Sequence, residues 1–291
     1  MSNKLWAIAD IHLSFKSNKE EWEKLQAKGA DDGLILAGDV GESIKTLNEA
    51  FEIAKRHFKH VFWVPGNHEL YTSATAPEEE MHLRGEAKYM ACVSAAKRHG
   101  ILTPEDDFMT WIYENEDGMQ AGAVICPVFT LYDYSFRPDH VSREAALDWA
   151  MEEGIKASDE SLLYPTPYAS RDEWCHRLVS QSESKLQHTI FIPKVPRFTL
   201  WCGTKKTENW HKKYHAKVVV TGHLHVRRTD WIDGVRFEEV SLGYPRQWKE
   251  AKDAGRDVNS LMREILPGPH PPTPGMEPPT AWRRLGDNNH L

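Results

Sequence analysis

The sequence predicts an α/β fold. Short all-apolar runs recur through the first seventy residues: LWAIA at 5–9, GLILA at 33–37 and HVFWV at 60–64. Stretches with helical spacing fill the gaps between them, and each run stops on aspartate, glycine or proline. Strands without polar alternation are buried on both faces, which parallel strands joined by helical crossovers provide.

Taken in order, Leu5–Ala9 reads as the first strand. Lys19–Lys28 has helical spacing, with Trp22 and Leu25 on one side. Gly33–Ala37 is the second strand. Ser43–Phe58 is amphipathic, with Ile44, Leu47, Phe51 and Ala54 on one face and Ser43 as N-cap. His60–Val64 is the third strand. The middle, residues 72–187, is less regular. Glu78–His99 is mostly helical, and Gly122–Phe129 reads as a buried strand. Ser142–Ala157 and Arg171–Gln187 have helical composition, separated by the loop LLYPTPY. Thr189–Ile192 is a short strand ended by Pro193. Lys217–Thr221 is a buried strand, Asp233-Gly234 within Trp231–Glu239 signals a hairpin, and Val240–Leu242 continues the sheet. Beyond Leu266 the composition changes to PGPHPPTPGMEPP, which forms neither a helix nor a central strand. The expected organisation is one domain over 1–265 and a Pro-rich tail over 266–291.

Bulk composition narrows the function. Of 291 residues, 40% are apolar and 27% charged, as in ordinary soluble proteins. A net charge of -7 argues against nucleic acid as a partner, because phosphate backbones need a basic face. Cys92, Cys126, Cys175 and Cys202 are widely spaced with no CxxC pair, which argues against a disulfide framework or zinc knuckle. No apolar run reaches the ~20 residues of a membrane span. With no signal-peptide pattern, the expectation is a cytoplasmic protein without a membrane partner.

Four clusters of metal-binding residue types fall at the carboxyl ends of predicted strands: Asp10-Ile11-His12, Gly38-Asp39, Gly66-Asn67-His68-Glu69 and Gly222-His223-Leu224-His225. Ligands of open α/β sheets bind beyond those strand ends. In an extended segment, Asp10 and His12 point to one side, as do His223 and His225. Glycines before Asp39, Asn67 and His223 permit sharp turns. DxH alone is weak and GD is common at turns. GNHE and GHLH are more specific, since imidazoles and amides are costly at strand ends without a partner.

The series DxH, GD, GNHE, GHLH resembles the calcineurin-like metallophosphoesterase superfamily across residues 10–225. The resemblance implies two packed mixed β-sheets flanked by helices, a four-layer α-β-β-α sandwich with two divalent metals at the sheet edge. By that match Asp10, His12 and His225 are ligands of the first metal and Asp39 bridges. Asn67 and His223 serve the second metal. His68 is a catalytic residue that contacts the scissile phosphate and assists the leaving group, oriented by Asp10. Two cations roughly 3.5–4 Å apart clamp a phosphoryl group and supply a bridging hydroxide at neutral pH. Mixed Asp/His/Asn ligation suits Mn, Fe, Zn or a mixed pair, manganese among them.

One family feature is missing. The family usually carries a further histidine after a strand between the third and fourth clusters, whereas Pro193 and Lys194 follow Thr189–Ile192. The second metal is thus expected to be weaker, unless His211 or His215 is recruited. That gap motivates a different reading, a non-catalytic scaffold keeping one metal; a hydrolase of non-phosphate bonds is a third. Outside the motifs, Tyr132 in LYDYSF and Arg246 in GYPR are candidate substrate contacts, with Asn67, and an arginine forks onto phosphate. GNHELY and FEEVSLGYPR are similar to a bacterial subgroup that includes phosphopantetheinyl hydrolases. The implied partners are a phosphorylated small molecule or a phosphopantetheinylated carrier protein, and the leading expectation is hydrolysis of a phosphodiester or phosphomonoester.

Overall fold

The computed structural model describes residues 3–73, 76–115, 117–186, 198–269 and 278–283. In chain order the elements are β1 (Leu5–Ile8), α1 (Lys16–Trp22), β2 (Gly33–Ala37), α2 (Ile44–His57), β3 (His60–Val64), α3 (Gly85–Arg98), β4 (Met109–Glu114) and β5 (Gln120–Ile125). There follow α4 (Ala146–Met151), α5 (Asp159–Leu162), α6 (Arg171–Lys185), α7 (Trp210–Lys213), β6 (Val218–Thr221), β7 (Arg228–Ile232) and β8 (Val235–Glu239). The last are α8 (Pro245–Asp253), α9 (Val258–Leu261), β9 (Arg263–Leu266) and β10 (Ala281–Trp282). The chain divides into two compact units, one of residues 1–69, 91–127 and 217–291, the other of residues 70–90 and 128–216.

The first unit holds the sheets. One is ordered β3-β2-β1-β9, the first three strands parallel and β9 antiparallel. The other is ordered β10-β7-β8-β6, with β6 and β8 parallel. They share a core of Leu5, Ala7, Phe62, Val240 and Ile265, against which Val218 and Val220 pack. These two packed mixed sheets with their helices are the expected architecture. The N-cap is as expected too: Ser43 Oγ accepts from the Thr46 amide, and Leu47, Ala50, Phe51 and Ala54 are buried along α2. The Asp233-Gly234 hairpin has positive φ at both turn residues, 54° and 77°, which sets the strands in a twisted antiparallel pair.

Some elements differ from expectation. The first helix is earlier and shorter than Lys19–Lys28. The apolar run at 122–129 is not buried throughout: among the described residues β5 pairs with β4 alone, and Val124 is exposed on the open face of that ribbon. Helix α4 is six residues long within the longer stretch expected to be helical. Within the tail, β10 adds an edge strand to β7, and Arg283 reaches Glu238 at 2.6 Å.

The second unit, described by itself, is organised around α4, α5 and α6. Tyr132, Tyr134, Ala146, Ala150, Leu200 and Trp201 form its apolar cluster. Among the described residues, no helix is long and apolar enough to cross a membrane.

Candidate metal centre

All four motif clusters lie in the first unit. Asp10 and His12 follow β1, Asp39 follows β2, and Asn67 and His68 follow β3. Because β1, β2 and β3 are adjacent and parallel, their carboxyl ends share one edge. His223 and His225 follow β6, which belongs to the other sheet. The segment after β8 brings them alongside: the Val240 amide donates to Thr221 O at 2.9 Å, and the Leu242 amide donates to Ala9 O at 2.8 Å. This segment joins the first and fourth clusters; where the strand was expected to continue over Val240–Leu242, β8 ends at Glu239 and Ser241 forms a single bridge with Ala9.

The ligand candidates are not extended. Positive φ occurs at Asp10 (52°), His12 (42°), Asp39 (52°), His223 (77°) and His225 (52°). Among the described residues, half of the ten non-glycine positions in this region of backbone space belong to the candidate set. The two-residue alternation argued for DxH and GHLH therefore does not hold. Left-handed turns aim these side chains, and strain persists only where the surroundings over-determine it. The glycines act differently from expectation as well. Gly38 has φ of 91°, but Gly66 and Gly222 are needed for close approach. A Cβ on Gly66 would lie 2.1 Å from Asp39 Oδ1, and one on Gly222 would lie 2.3 Å from Asp10 Oδ2.

Two donor groups result. Asp10, His12 and His225 form one; His12, Asp39 and His68 form the other; within each, the donor atoms lie within 4.8 Å of one another. Asp10 Oδ1 is 3.0 Å from His225 Nε2, and His225 Nε2 is 3.2 Å from His12 Nε2. His12 is common to both groups, and His68, expected to touch only phosphate, sits among ligand atoms. His223 donates its amide to both Asp10 oxygens, at 3.0 and 2.8 Å, and Asn67 Oδ1 is buried.

The charges acting most strongly here come from other members of the cluster. Burial favours a neutral Asp10, but the hydrogen bond and charge of His225, with His12 and Ser241, hold its carboxyl well below the usual range. Burial drives His12 down to about 3, with His68, His225 and His223 repelling and Asp10 opposing. Burial and the Asp10 charge push Asp39 up to about 6 against the pull of His68. Burial works against the His68 imidazolium, yet Asp39, Glu42 and Glu69 hold it up at about 9. A buried cluster of carboxylates and imidazoles with no Lys or Arg among these influences fits divalent cations, which supply the missing positive charge.

The supporting residues went largely unread in the sequence. Glu69, fully buried, accepts from the amides of Asp39 (3.0 Å), Val40 (2.6 Å) and Gly66 (2.8 Å), tying the β2 and β3 loops together. Glu42 lies 2.9 Å from His68 Nδ1, where Asp10 was expected to orient that ring. Ser241 Oγ contacts Asp10 Oδ2 at 2.6 Å and also Glu239. Gln247 Oε1 has no proton, so His225 Nδ1 donates to it at 2.8 Å and turns Nε2 toward Asp10. The signals were present, Glu42 three residues after Asp39 and Ser241 in SLGYPR, but carboxylates and serines are common near turns.

Other expected residues fall elsewhere. Arg246 is exposed at the start of α8. Tyr132 is buried in the second unit, where its hydroxyl donates to Asp159 Oδ2 at 2.8 Å. His211 is buried and His215 exposed, both in that second unit and in neither donor group. Pro193, with Thr189–Ile192, lies outside the described residues.

Comparison with known proteins gives the site its context. The profile of calcineurin-like phosphoesterases matches residues 4–227. The chain belongs to the calcineurin-like phosphoesterase family. It is a metallophosphoesterase, a hydrolase of phosphoric ester bonds that uses divalent metals. This phosphoesterase is 41% identical over 284 residues, 91% of this chain and 84% of the other, to the [acyl-carrier-protein] phosphodiesterase PptH of Mycobacterium tuberculosis. It is also similar to the crystal structure of the phosphopantetheinyl hydrolase PptH from that organism, with 40% identity, coverage of 92% and 97% of the two chains, and a TM-score of 0.83.

Proposed function

We propose that this phosphoesterase hydrolyses the phosphodiester joining a phosphopantetheine arm to the serine of an acyl carrier protein. Support comes from its 41% identity to an enzyme named for that activity, together with the His12-centred donor cluster. Asp10, His12 and His225 would hold one metal. Asp39 would bridge, and Asn67 and His223 would serve a second, weaker site lacking a ligand at Pro193. Bound metals supply the positive charge that stabilises the phosphoryl transition state and activates water.

The chain's own groups do the rest. Asn67 and the exposed Arg246 are candidate contacts for the substrate's phosphate. His68, held at Nδ1 by Glu42, carries the proton that the departing serine oxygen takes from Nε2. Water oxygen adds to phosphorus as the phosphorus–serine bond breaks, leaving free serine and phosphopantetheine. We further assign catalysis to residues 1–265, with 266–291 as a tail, assign the enzyme to the cytoplasm, and take manganese, iron, zinc or a mixed pair as its metals.

The test is to incubate holo-carrier protein with the enzyme and follow loss of the arm by mass spectrometry. Conversion should need a divalent metal and stop with chelator. His68→Ala should slow it by roughly 10²–10⁴-fold, the usual worth of a proton-transferring side chain. Metal-independent conversion, or no conversion with any of the three metals, would sink the reading.

A further inference from the structure

One aromatic ring lies against the donor cluster, a second continues it outward, and neither has a place in metal binding. Tyr244 stacks on His12, ring centroids 4.5 Å apart and planes at 20°, and meets His225 edge-on at 4.9 Å. Phe15 packs edge-on against Tyr244 at 5.6 Å, and 44% of it remains exposed. Among the described residues, Phe15 and Trp282 are the large aromatics left this open to solvent. A single exposed apolar residue is ordinary. What sets Phe15 apart is its continuity, through Tyr244, with the candidate ligands.

The arrangement is also built from beneath. Buried Asn18 donates to Ile11 O at 2.8 Å and Gly243 O at 3.1 Å, and accepts from Trp248 Nε1 at 3.1 Å. It therefore ties the loop before α1 to the loop before α8, the two segments that carry Phe15 and Tyr244. The Phe15 amide donates back to His12 O at 3.0 Å. A buried amide spent on joining two loops fixes the rings relative to each other before any ligand arrives.

We propose that Phe15 and Tyr244 form the shelf that receives the branched apolar start of the phosphopantetheine arm. This rests on the phosphodiesterase reading above. In that arm the phosphate ester oxygen carries one methylene and then a carbon bearing two methyl groups. When the phosphate sits at the cluster, those methyls must lie within a few bonds of it, where they would leave the groups of a polar lining unpaired. An aromatic face beside His12 gives them apolar contact, and Phe15 widens that face outward along the arm.

Two small diesters isolate the shelf: neopentyl and methyl p-nitrophenyl phosphate, which differ only in the branched carbon. With metal, the protein should prefer the neopentyl diester in kcat/KM by on the order of tenfold. Phe15→Ala should bring that ratio close to one, and Phe15→Tyr, which keeps the ring, should retain it. Because Phe15 is exposed, its truncation leaves the core intact. A wild-type ratio near one, or a ratio unmoved by Phe15→Ala while holo-carrier is still cleaved, overturns the shelf alone. Absence of turnover on both diesters and on holo-carrier overturns the phosphodiesterase reading, and the shelf with it.

Discussion

Two of the buried polar clusters among the described residues, one in each unit, are built on opposite principles. In the second unit Asp159 accepts from Tyr71 and Tyr132, and Glu160 accepts from Tyr134, Trp201 and Arg171. Arg171 also donates to the Asp159 carbonyl at 2.6 Å. The carboxylates there are matched by a guanidinium and hydroxyls. The cluster of the first unit gathers Asp10, Asp39, His12, His68 and His225, all but His68 on left-handed backbone, with imidazoles as the counter-charge. A complete internal network is a structural element, whereas strained donors without a permanent cation mark a place for an external one.

The contrast predicts a double dissociation. His12→Ala removes the donor shared by both groups. Its loss should exceed the roughly 10–100-fold carried by residues that merely orient ligands. Elemental analysis should find the protein depleted of metal, while its unfolding midpoint in chelator hardly moves. Arg171→Met should do the reverse. Removing the half-buried Arg171 leaves Glu160 with the Tyr134 and Trp201 donors alone and costs about 1–3 kcal/mol of stability, yet metal bound per folded molecule stays as it was. If both variants lose metal and stability alike, the two clusters are not different in kind.

Smaller changes sharpen the same division. Gly222→Ala would set a methyl group 2.3 Å from Asp10 Oδ2. The Asp10 carboxylate and Ala9, whose Cβ would lie 2.5 Å from the new methyl, must both give way, so metal affinity by calorimetry should fall together with a smaller loss of stability. Ser241→Ala removes the hydroxyl that contacts Asp10 and should weaken metal binding by roughly 10–100-fold. An affinity equal to wild type would mean that Asp10 is held by His225 and the His223 amide alone.

How much of this was legible in advance follows from where each signal is written. Strand ends and ligand types are local, so β2 and β3 agree with the sequence reading at both bounds, and the four clusters converge as expected. The Ser43 cap and the Asp233-Gly234 turn are local as well. The sequence could not tell that β5 lies in a ribbon with an open face, because the run at 122–129 is apolar whether or not a second face is covered. Nor could it assign Glu42, Glu69 or Gln247, whose roles depend on loops 22 to 30 residues apart meeting. The ligand candidates were also brought together by a local argument that does not hold, since alternation in extended chain does not aim Asp10 and His12; their left-handed φ does.

The finest distinction between the clusters is their response to acid. In the second unit burial would raise the Asp133 carboxyl, but Ser135, Thr204 and His176 outweigh it and hold it below its ordinary value. Thr204 Oγ1 donates to it at 2.8 Å and the Ser135 amide at 3.1 Å. A carboxyl depressed by folding contributes stability that is fully present above its unfolded value, about 4, and is lost as pH falls through the folded one. Asp133→Asn removes that titration. The stability gap between wild type and variant, measured by denaturant unfolding, should therefore be constant from neutrality to about pH 5 and shrink below about pH 4. Added metal should leave this profile alone, because Asp133 lies in the second unit and its own hydroxyl, amide and imidazole partners hold it without a cation; a gap that stays level into acid, or moves with metal, would show that Asp133 is not held in this way.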